Sequence, residues 1–280
     1  MAVAEQIARI QTAKENIKSS LSAKGVDVGG AKLDEYSTFI DEMQVGGDWT
    51  EYFGETIGTG AIAVNKPVSG IFRFLKKIPE EITVEGTSCQ YTFASLNVEN
   101  YPLIDTSEII NMYGMFCECT NLIEPPLYNT SKVEDMGFMF DGCRKLKRIP
   151  AYNTSNVKSF ITVFRNCSLL EEIPLLDFGN VNAIGTYTFS NCSSLTNLGG
   201  FKDLGKAYDT SKSANNSSYT LDLSTCKKLT HDSLMNVINN LYDIASLGCN
   251  TQQLKLGATN LAKLTEEEIA IATNKGWTVS

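Results

Sequence analysis

The chain lacks three kinds of segment that would place it in a common functional class. No apolar run approaches the roughly 20 residues that span a bilayer. The opening residues, MAVAEQIARIQ, carry an early glutamate and no long apolar centre, so they do not resemble a secretory leader. The 24 lysines and arginines are outnumbered by 32 aspartates and glutamates. We therefore expect no membrane insertion and, without a basic stripe, no nucleic-acid partner.

A period of 24 residues dominates the middle of the chain. Its three copies, from Leu103 to Pro174, read LIDTSEIINMYGMFCECTNLIEPP, LYNTSKVEDMGFMFDGCRKLKRIP and AYNTSNVKSFITVFRNCSLLEEIP. A longer fourth copy follows, and LDLSTCKKLT (residues 221–230) fits the leucine-rich-repeat pattern L-x-L-x-x-C. A fixed period in the twenties is typical of a solenoid, in which neighbouring coils bury each other's apolar faces.

Each coil is predicted to hold one strand and one short helix. Val133, Met136 and Met139 are spaced three apart, which suits one or two helical turns with an inward apolar face. Residues 146–150 form an extended run that ends in proline. After the predicted helix come residues that tolerate a left-handed backbone: Gly142, Asn166 and Asn191.

The chain has eight cysteines. Five of them share one column of the repeat: Cys119, Cys143, Cys167, Cys192 and Cys226. We expect these five to be free thiols buried as small apolar side chains, which implies folding in a reducing compartment. An alternative is that column neighbours oxidise outside a cell. The C-x-C pair at Cys117 has no histidine nearby, so we expect no zinc site.

The ends are predicted to be built differently from the repeats. Residues 1–47 form a helical anchor or oligomerisation region, with apolar residues at heptad spacing: Ile7, Ile10, Ile17 and Leu21. This helix either packs on its own domain or forms a seam between copies, for which isoleucine favours trimers. Residues 48–90 form a small β-rich connector, with strands over 61–64, 71–75 and 82–84.

Residues 91–230 form the predicted solenoid, and residues 231–280 its C-terminal cap. The cap should contain a helix on the face of Leu234 and a strand over 253–256. A second helix, 266–274, should open with a capping box formed by Thr265 and Glu268. Trp277 should fold back over the end. A helical cap protects the open end of a stack.

The units NTSKVEDMGFMFDGCRKL and NTSNVKSFITVFRNCSLL resemble the BspA-like leucine-rich repeats of bacterial surface proteins. The closing residues resemble the ends of such proteins from gut bacteria and their phages. The opening IARIQTAKENIKSSLSAKGVDVGGAKLDEYSTFIDEM is similar to the start of phage tail and fibre proteins. The resemblance implies an α/β fold: a short leucine-rich-repeat solenoid with an N-terminal helical and β-rich anchor and a C-terminal helical cap.

The resemblance also implies a non-enzymatic bacteriophage virion structural protein, of tail, fibre or decoration type, whose solenoid binds a protein or a host surface. Such a protein folds in the host cytoplasm and leaves by lysis. The alternative is a bacterial cell-surface BspA-like adhesin. No catalytic or cofactor-binding residue is implied, and the single histidine, His231, lies beside a predicted helix start, where histidine usually caps or faces solvent.

Partner-binding candidates are outward positions whose identity packing does not set. Two rows and one loop meet this description. The first row is Glu108, Lys132 and Asn156; the second is Asn111, Asp135 and Ser159; the loop, 206–219, carries Tyr208 and Tyr219. Expected partners are other virion proteins through the N-terminal region, a host surface protein or glycan, and further copies of the chain.

Overall fold

The computed structural model describes residues 62–64, 82–84, 86–96, 98–207, 220–247 and 252–280. The chain divides into two compact units, Met1–Ala63 and Val64–Ser280. Strands β1 (Ile62–Val64) and β2 (Ile82–Val84) confirm two of the three strands predicted in the connector. The predicted strand 71–75 and the predicted seam residues Ile7, Ile10, Ile17 and Leu21 lie outside the described residues.

The repeat region is a parallel stack of coils, and its spatial period is the sequence period. Parallel bridges connect one position of each coil to the next, in the order Ser88, Asn111, Asp135, Ser159 and Ala183. From Asn111 onward these positions are 24 residues apart in the sequence. The leucine-rich-repeat class itself stays a prediction.

The helix predicted in each coil is wrong, because residues 136–143 form a ribbon of consecutive turns. The amide of Met139 bonds the carbonyl of Met136, three residues back, at 3.1 Å. The amide of Phe138 instead donates to Ile161 of the next coil at 2.9 Å. Donors alternate in this way along the ribbon, so half of its amides hold coils together. Apolar residues three apart fit this turn ribbon as well as they fit a helix.

Left-handed residues recur along the turn ribbon. Gly142, Asn166 and Asn191 have φ of 76°, 64° and 64°, which confirms the backbone predicted for them. Phe138 and Thr162 also have positive φ, at 57° and 60°. Side chains with a β-carbon adopt this region at a cost, and a β-branched threonine rarely does so. The backbone pattern therefore belongs to the coil and is imposed on residues that do not favour it.

The second half of each coil is extended. Strand β3 (Glu172–Ile173) pairs in parallel with β5 (Asn197–Leu198), and β4 (Leu176–Asp177) pairs in parallel with β6 (Phe201–Lys202). Arg148 of the preceding coil bridges to Glu172. The extended run predicted over 146–150 therefore lies in register with β3.

The core between the two halves contains columns of identical side chains. One column is a row of phenylalanine rings with centroids 5.5–5.8 Å apart: Phe93, Phe116, Phe140, Phe164 and Phe189. Another is a row of fully buried leucines: Leu122, Leu146, Leu170 and Leu195. Each apolar residue is covered by its equivalents above and below, so burial of a coil requires its neighbours.

The C-terminal part holds the remaining regular elements. They are β7 (Thr220–Asp222), α1 (His231–Asn240), a 3-10 turn (Ala245–Leu247), β8 (Gln252–Lys255), α2 (Gly257–Leu261), α3 (Glu266–Asn274) and β9 (Trp277–Val279). The strands form one parallel sheet in the order β7-β8-β9. Within the described part of the chain, no helix is long and apolar enough to cross a membrane.

The predicted local features of this end are confirmed. Thr265 and Glu268 form the capping box of α3. The indole of Trp277 is buried and donates to the carbonyl of Tyr242 at 3.0 Å. Helix α1 contacts β5 and β6, where the amide of Leu198 donates to the Ser233 hydroxyl at 2.9 Å. Polar groups at this end of the stack are thereby satisfied by α1.

Candidate partner-binding face

The corner that opens each coil is fixed by hydrogen bonds within and between coils. In the triplet Asn129-Thr130-Ser131, the Asn129 Oδ1 accepts from the Ser131 amide at 3.1 Å, which closes an Asx turn. The Thr130 hydroxyl donates to the carbonyl of Asn153 in the next coil at 2.9 Å. The triplet therefore shapes a corner and does not begin a helix.

The first predicted row lies on the surface, and its members are bonded to neighbouring coils. Lys132 Nζ lies 2.6 Å from Glu108 Oε1, and both side chains are more than half exposed. Asn156 Nδ2 donates to the carbonyl of Ser131 at 2.6 Å. The structure thus brings the three residues together while leaving their outer surfaces open to a partner.

The second predicted row has a role in packing that the sequence did not reveal. Asn111, Asp135 and Ser159 are half-buried and are the positions bridged between coils. The side chains of Asn111 and Asp135 accept from the amides of Tyr113 and Gly137, each at 2.8 Å. These oxygens set the first turn of the ribbon, so packing does constrain this row. Tyr208 and Tyr219 of the predicted loop lie outside the described residues.

Ion pairs between coils follow one direction along the described stack. In each, the acidic residue lies in the earlier coil and the basic residue in the next: Glu108–Lys132, Glu124–Arg148, Glu134–Lys158, Asp141–Arg165 and Asp177–Lys202. A register shift by one coil would separate these partners and, in one column, would place Glu124 against Glu172. The pairs therefore favour one stacking order. The spacing of opposite charges, 24 residues in four pairs and 25 in the fifth, was the sequence signal for them.

The pair of Asp141 and Arg165 is the most buried of the set. Arg165 donates from Nε to Oδ1 at 2.9 Å and from Nη2 to Oδ2 at 2.5 Å, and the Asp141 side chain is only 3% exposed. These bonds raise the pKa of the Arg165 guanidinium. The guanidinium also lies 5.7 Å from the ring centroid of Phe138. This charged group is committed to the scaffold rather than to a ligand.

The thiol column is buried as predicted, and its members also donate hydrogen bonds. Each Sγ bonds the phenylalanine carbonyl of the preceding coil, as in Cys143 to Phe116 at 3.0 Å. The other members are Cys119, Cys167, Cys192 and Cys226. Burial raises the pKa of Cys119 to about 12. In the described part of the chain, no group of three or more histidine, cysteine, aspartate or glutamate side chains could hold a metal ion.

An exposed apolar row was missed by the sequence reasoning. Leu103, Leu127 and Leu175 occupy one repeat position and are 74%, 65% and 50% exposed. The third coil has Ala151 at this position, also exposed. We call these four residues the leucine ridge. Their 24-residue spacing, directly after the prolines that end each coil, was the available signal, but exposure could not be read from it.

Residues 87–200 match a family model. Its description is "Mycoplasma protein of unknown function, DUF285". The matched segment is the part of the chain that forms the coil stack, and it covers fewer than half of the residues. The match is consistent with the BspA-like repeat family that the sequence resembles. No curated protein and no solved structure matches the chain.

Proposed function

We propose that this chain is a non-enzymatic bacteriophage virion structural protein whose coil stack binds a protein or a host surface. The observation that carries the proposal is the contrast between interior and surface. Three interior columns keep phenylalanine, cysteine or leucine from Phe116 onward, whereas the surface row reads Glu108, Lys132 and Asn156. Constant packing with variable outward side chains suits a display scaffold.

The state of the cysteines supports the phage assignment over the adhesin. The seven cysteines in the described residues are free, and six of them are buried. Free thiols suit a protein that folds in a reducing host cytoplasm and leaves by lysis. The alternative, a BspA-like bacterial surface adhesin, is favoured by the resemblance of the repeats to those of surface proteins. In both cases residues 1–47 would supply the anchor and residues 91–230 the binding surface.

The location of the protein separates the two functions. Mass spectrometry should be run on purified virions and on surface fractions of uninfected bacteria. We expect peptides of this chain in the virion, at a copy number that matches a symmetric tail, fibre or decoration component. Detection only in the bacterial surface fraction would end the phage assignment and support the adhesin.

The binding role of the first row is tested separately. Exchange of Lys132 and Asn156 for alanine should lower adsorption to host cells severalfold while the protein stays folded. Lys228→Ala is a matched control, because Lys228 is exposed and lies outside the row. Equal adsorption by wild type, row variant and control would show that this row does not meet the host.

A further inference from the structure

We propose that the leucine ridge is a self-association surface on which two copies of this chain pack antiparallel. The ridge has one exposed side chain per coil at a single repeat position, with leucine in three of four coils. The interior columns already form the apolar core of each coil, so packing within one copy does not require leucine at the ridge position. Contiguous exposed apolar residues on a soluble surface mark interaction sites.

The ridge is held in shape before any partner binds. At the two middle positions of the ridge, the next residue is a tyrosine whose hydroxyl donates to the proline carbonyl of the preceding coil. The Tyr128 hydroxyl bonds the carbonyl of Pro102 at 2.8 Å, and the Tyr152 hydroxyl bonds that of Pro126 at 2.7 Å. Because these hydrogen bonds hold the backbone beside the ridge in place, association requires little further ordering of the chain.

The order of side-chain sizes along the ridge selects a second copy turned end over end. The row reads Leu103, Leu127, Ala151 and Leu175. A two-fold axis through the middle of this row places Leu127 of each copy opposite Ala151 of the other, so each large side chain meets a small one. Leu103 then lies opposite Leu175. A parallel pair would instead place Leu127 against Leu127 and leave two alanines facing each other across a gap.

The charges beside the ridge select the same arrangement. Three residues before the ridge lie Glu124 and Arg148, which are exposed and form an ion pair 3.0 Å apart. The antiparallel axis places Glu124 of one copy opposite Arg148 of the other, which gives four alternating charges. A parallel pair, whose two-fold axis runs along the ridge, would place this flank against the opposite flank of the other copy and would not bring Glu124 and Arg148 together. On the other flank, Asp105 would face Asp177, whose charge Lys202 already pairs.

The size of the ridge sets the strength of the association. A standard interface buries about 800 Å² on each partner, and four side chains fall short of this. We therefore expect a weak dimer, with a Kd between about 10 µM and about 1 mM. This association is independent of the proposed virion role, although crowding of copies on a particle would favour it.

The test compares the full chain with ridge variants by sedimentation velocity across that concentration range. The mass of wild type should double as concentration rises. The starting mass is that of the species present at the lowest concentration. The triple variant Leu103→Ser, Leu127→Ser and Leu175→Ser should lose this step, with a Tm within about 3 °C of wild type because these side chains are exposed. Leu169→Ser is the control: Leu169 is exposed but lies off the ridge, and association should persist.

A charge exchange tests the antiparallel geometry. Arg148→Glu alone should weaken the association about tenfold, and Glu124→Arg combined with Arg148→Glu should restore it. Constant mass of wild type at all concentrations, or doubling that survives the triple variant, would overturn the proposal. Failure of the double exchange to restore association would overturn the antiparallel arrangement. Binding of an apolar peptide at the ridge without any self-association would assign the ridge to a different partner and also overturn it.

Discussion

Single residues in the thiol column do more than fill space. The Phe116 carbonyl accepts both the amide of Cys119, in its own coil, and the thiol of Cys143, in the next. The same two bonds recur for the later phenylalanines of the column. Removal of a donor from a buried carbonyl lowers the stability of the folded protein. Sequence reasoning predicted burial of these cysteines, but a thiol's direction depends on the backbone of the neighbouring coil.

Substitution of Cys143 distinguishes a hydrogen-bond donor from an apolar filler. Cys143→Ala should lower the free energy of unfolding by about 1–2 kcal/mol, because it removes the donor and leaves a small void. Cys143→Ser should lose less than Cys143→Ala, because its hydroxyl donates to the same carbonyl. Urea unfolding measures both. If alanine were better tolerated than serine, the thiol would act only as a filler.

Gly142 tests the left-handed positions of the turn ribbon. Its φ is 76°, and a β-carbon there would lie 2.5 Å from the carboxylate of Glu118. Gly142→Ala should therefore lower the free energy of unfolding by about 1–2 kcal/mol. Gly185→Ala is the matched control, because its β-carbon would meet only Ile161 at 3.5 Å, an ordinary contact. Equal stability of the two variants in urea would contradict the backbone described here.

The limits of the sequence at this scale are clear from particular positions. Gly142 and Asn166 indicate a left-handed backbone, since these residue types tolerate it. Phe138 and Thr162 adopt the same backbone without any local preference for it. Their conformation follows from hydrogen bonds to adjacent coils, as in Phe138 to Ile161, and such bonds depend on the whole stack.

At the scale of one coil, the prediction failed where hydrogen bonds run between coils. A helix would satisfy its own amides along residues 136–143, and the spacing of Val133, Met136 and Met139 permits one. In the stack, every second amide of that segment finds a carbonyl in the next coil instead. Periodicity reports which residues are buried. It does not report whether their backbone bonds are local.

Ion pairs of different burial should differ in strength. Arg165→Ala leaves the buried Asp141 carboxylate without its partner, so we expect a loss of about 2 kcal/mol in the free energy of unfolding. The expected loss is moderate because Arg165 itself is 40% exposed. Lys132→Ala removes the exposed pair with Glu108 and should cost less than about 1 kcal/mol. Equal losses in urea unfolding would contradict the burial of Asp141.

The contact between α1 and α3 should make stability depend on pH. His231 Nε2 lies 2.8 Å from Glu268 Oε1, and this bond raises the pKa of His231. Bonding to the Thr265 amide, and then to His231, lowers the pKa of Glu268. The histidine contribution is complete below its unfolded pKa and is lost as pH rises through the raised pKa. The glutamate contribution is present above its unfolded pKa and is lost as pH falls through the lowered pKa.

Thermal unfolding between about pH 3 and about pH 9 measures this dependence. Wild type should be most stable between the unfolded values of Glu and His, 4.5 and 6.5. His231→Gln should remove the loss on the alkaline side and keep the loss on the acidic side. Asp232 also lies near His231, 3.6 Å away, so Asp232→Asn serves as the control that preserves the Glu268 contact. Identical slopes for wild type and His231→Gln above about pH 6 would show that the contact does not form.

At the scale of the molecule, the repeat predicted which residues lie inside but not what the outside offers. The phenylalanine, cysteine and leucine columns could be predicted because most recurring apolar positions of a coil stack face its core. The leucine ridge recurs equally, and nothing in its spacing distinguishes it from a core column. Its exposure follows from the corner that the Asx turns and the threonine bonds create. A repeat therefore defines columns, and only the coil geometry assigns them to the interior or the surface.

Residues 88–207 stack as parallel coils, 23 to 25 residues apart in the sequence, with the thiols inside. Thiol alkylation in native buffer, mapped by mass spectrometry, tests this arrangement most directly. Cys143 and Cys167 should resist alkylation, since burial raises their pKa well above the usual value, and they should become reactive together at the urea transition. Half-buried Cys117, with a pKa of about 11, should be labelled earlier. Labelling of the column cysteines in native buffer at the rate of free thiols would contradict their burial in the stack.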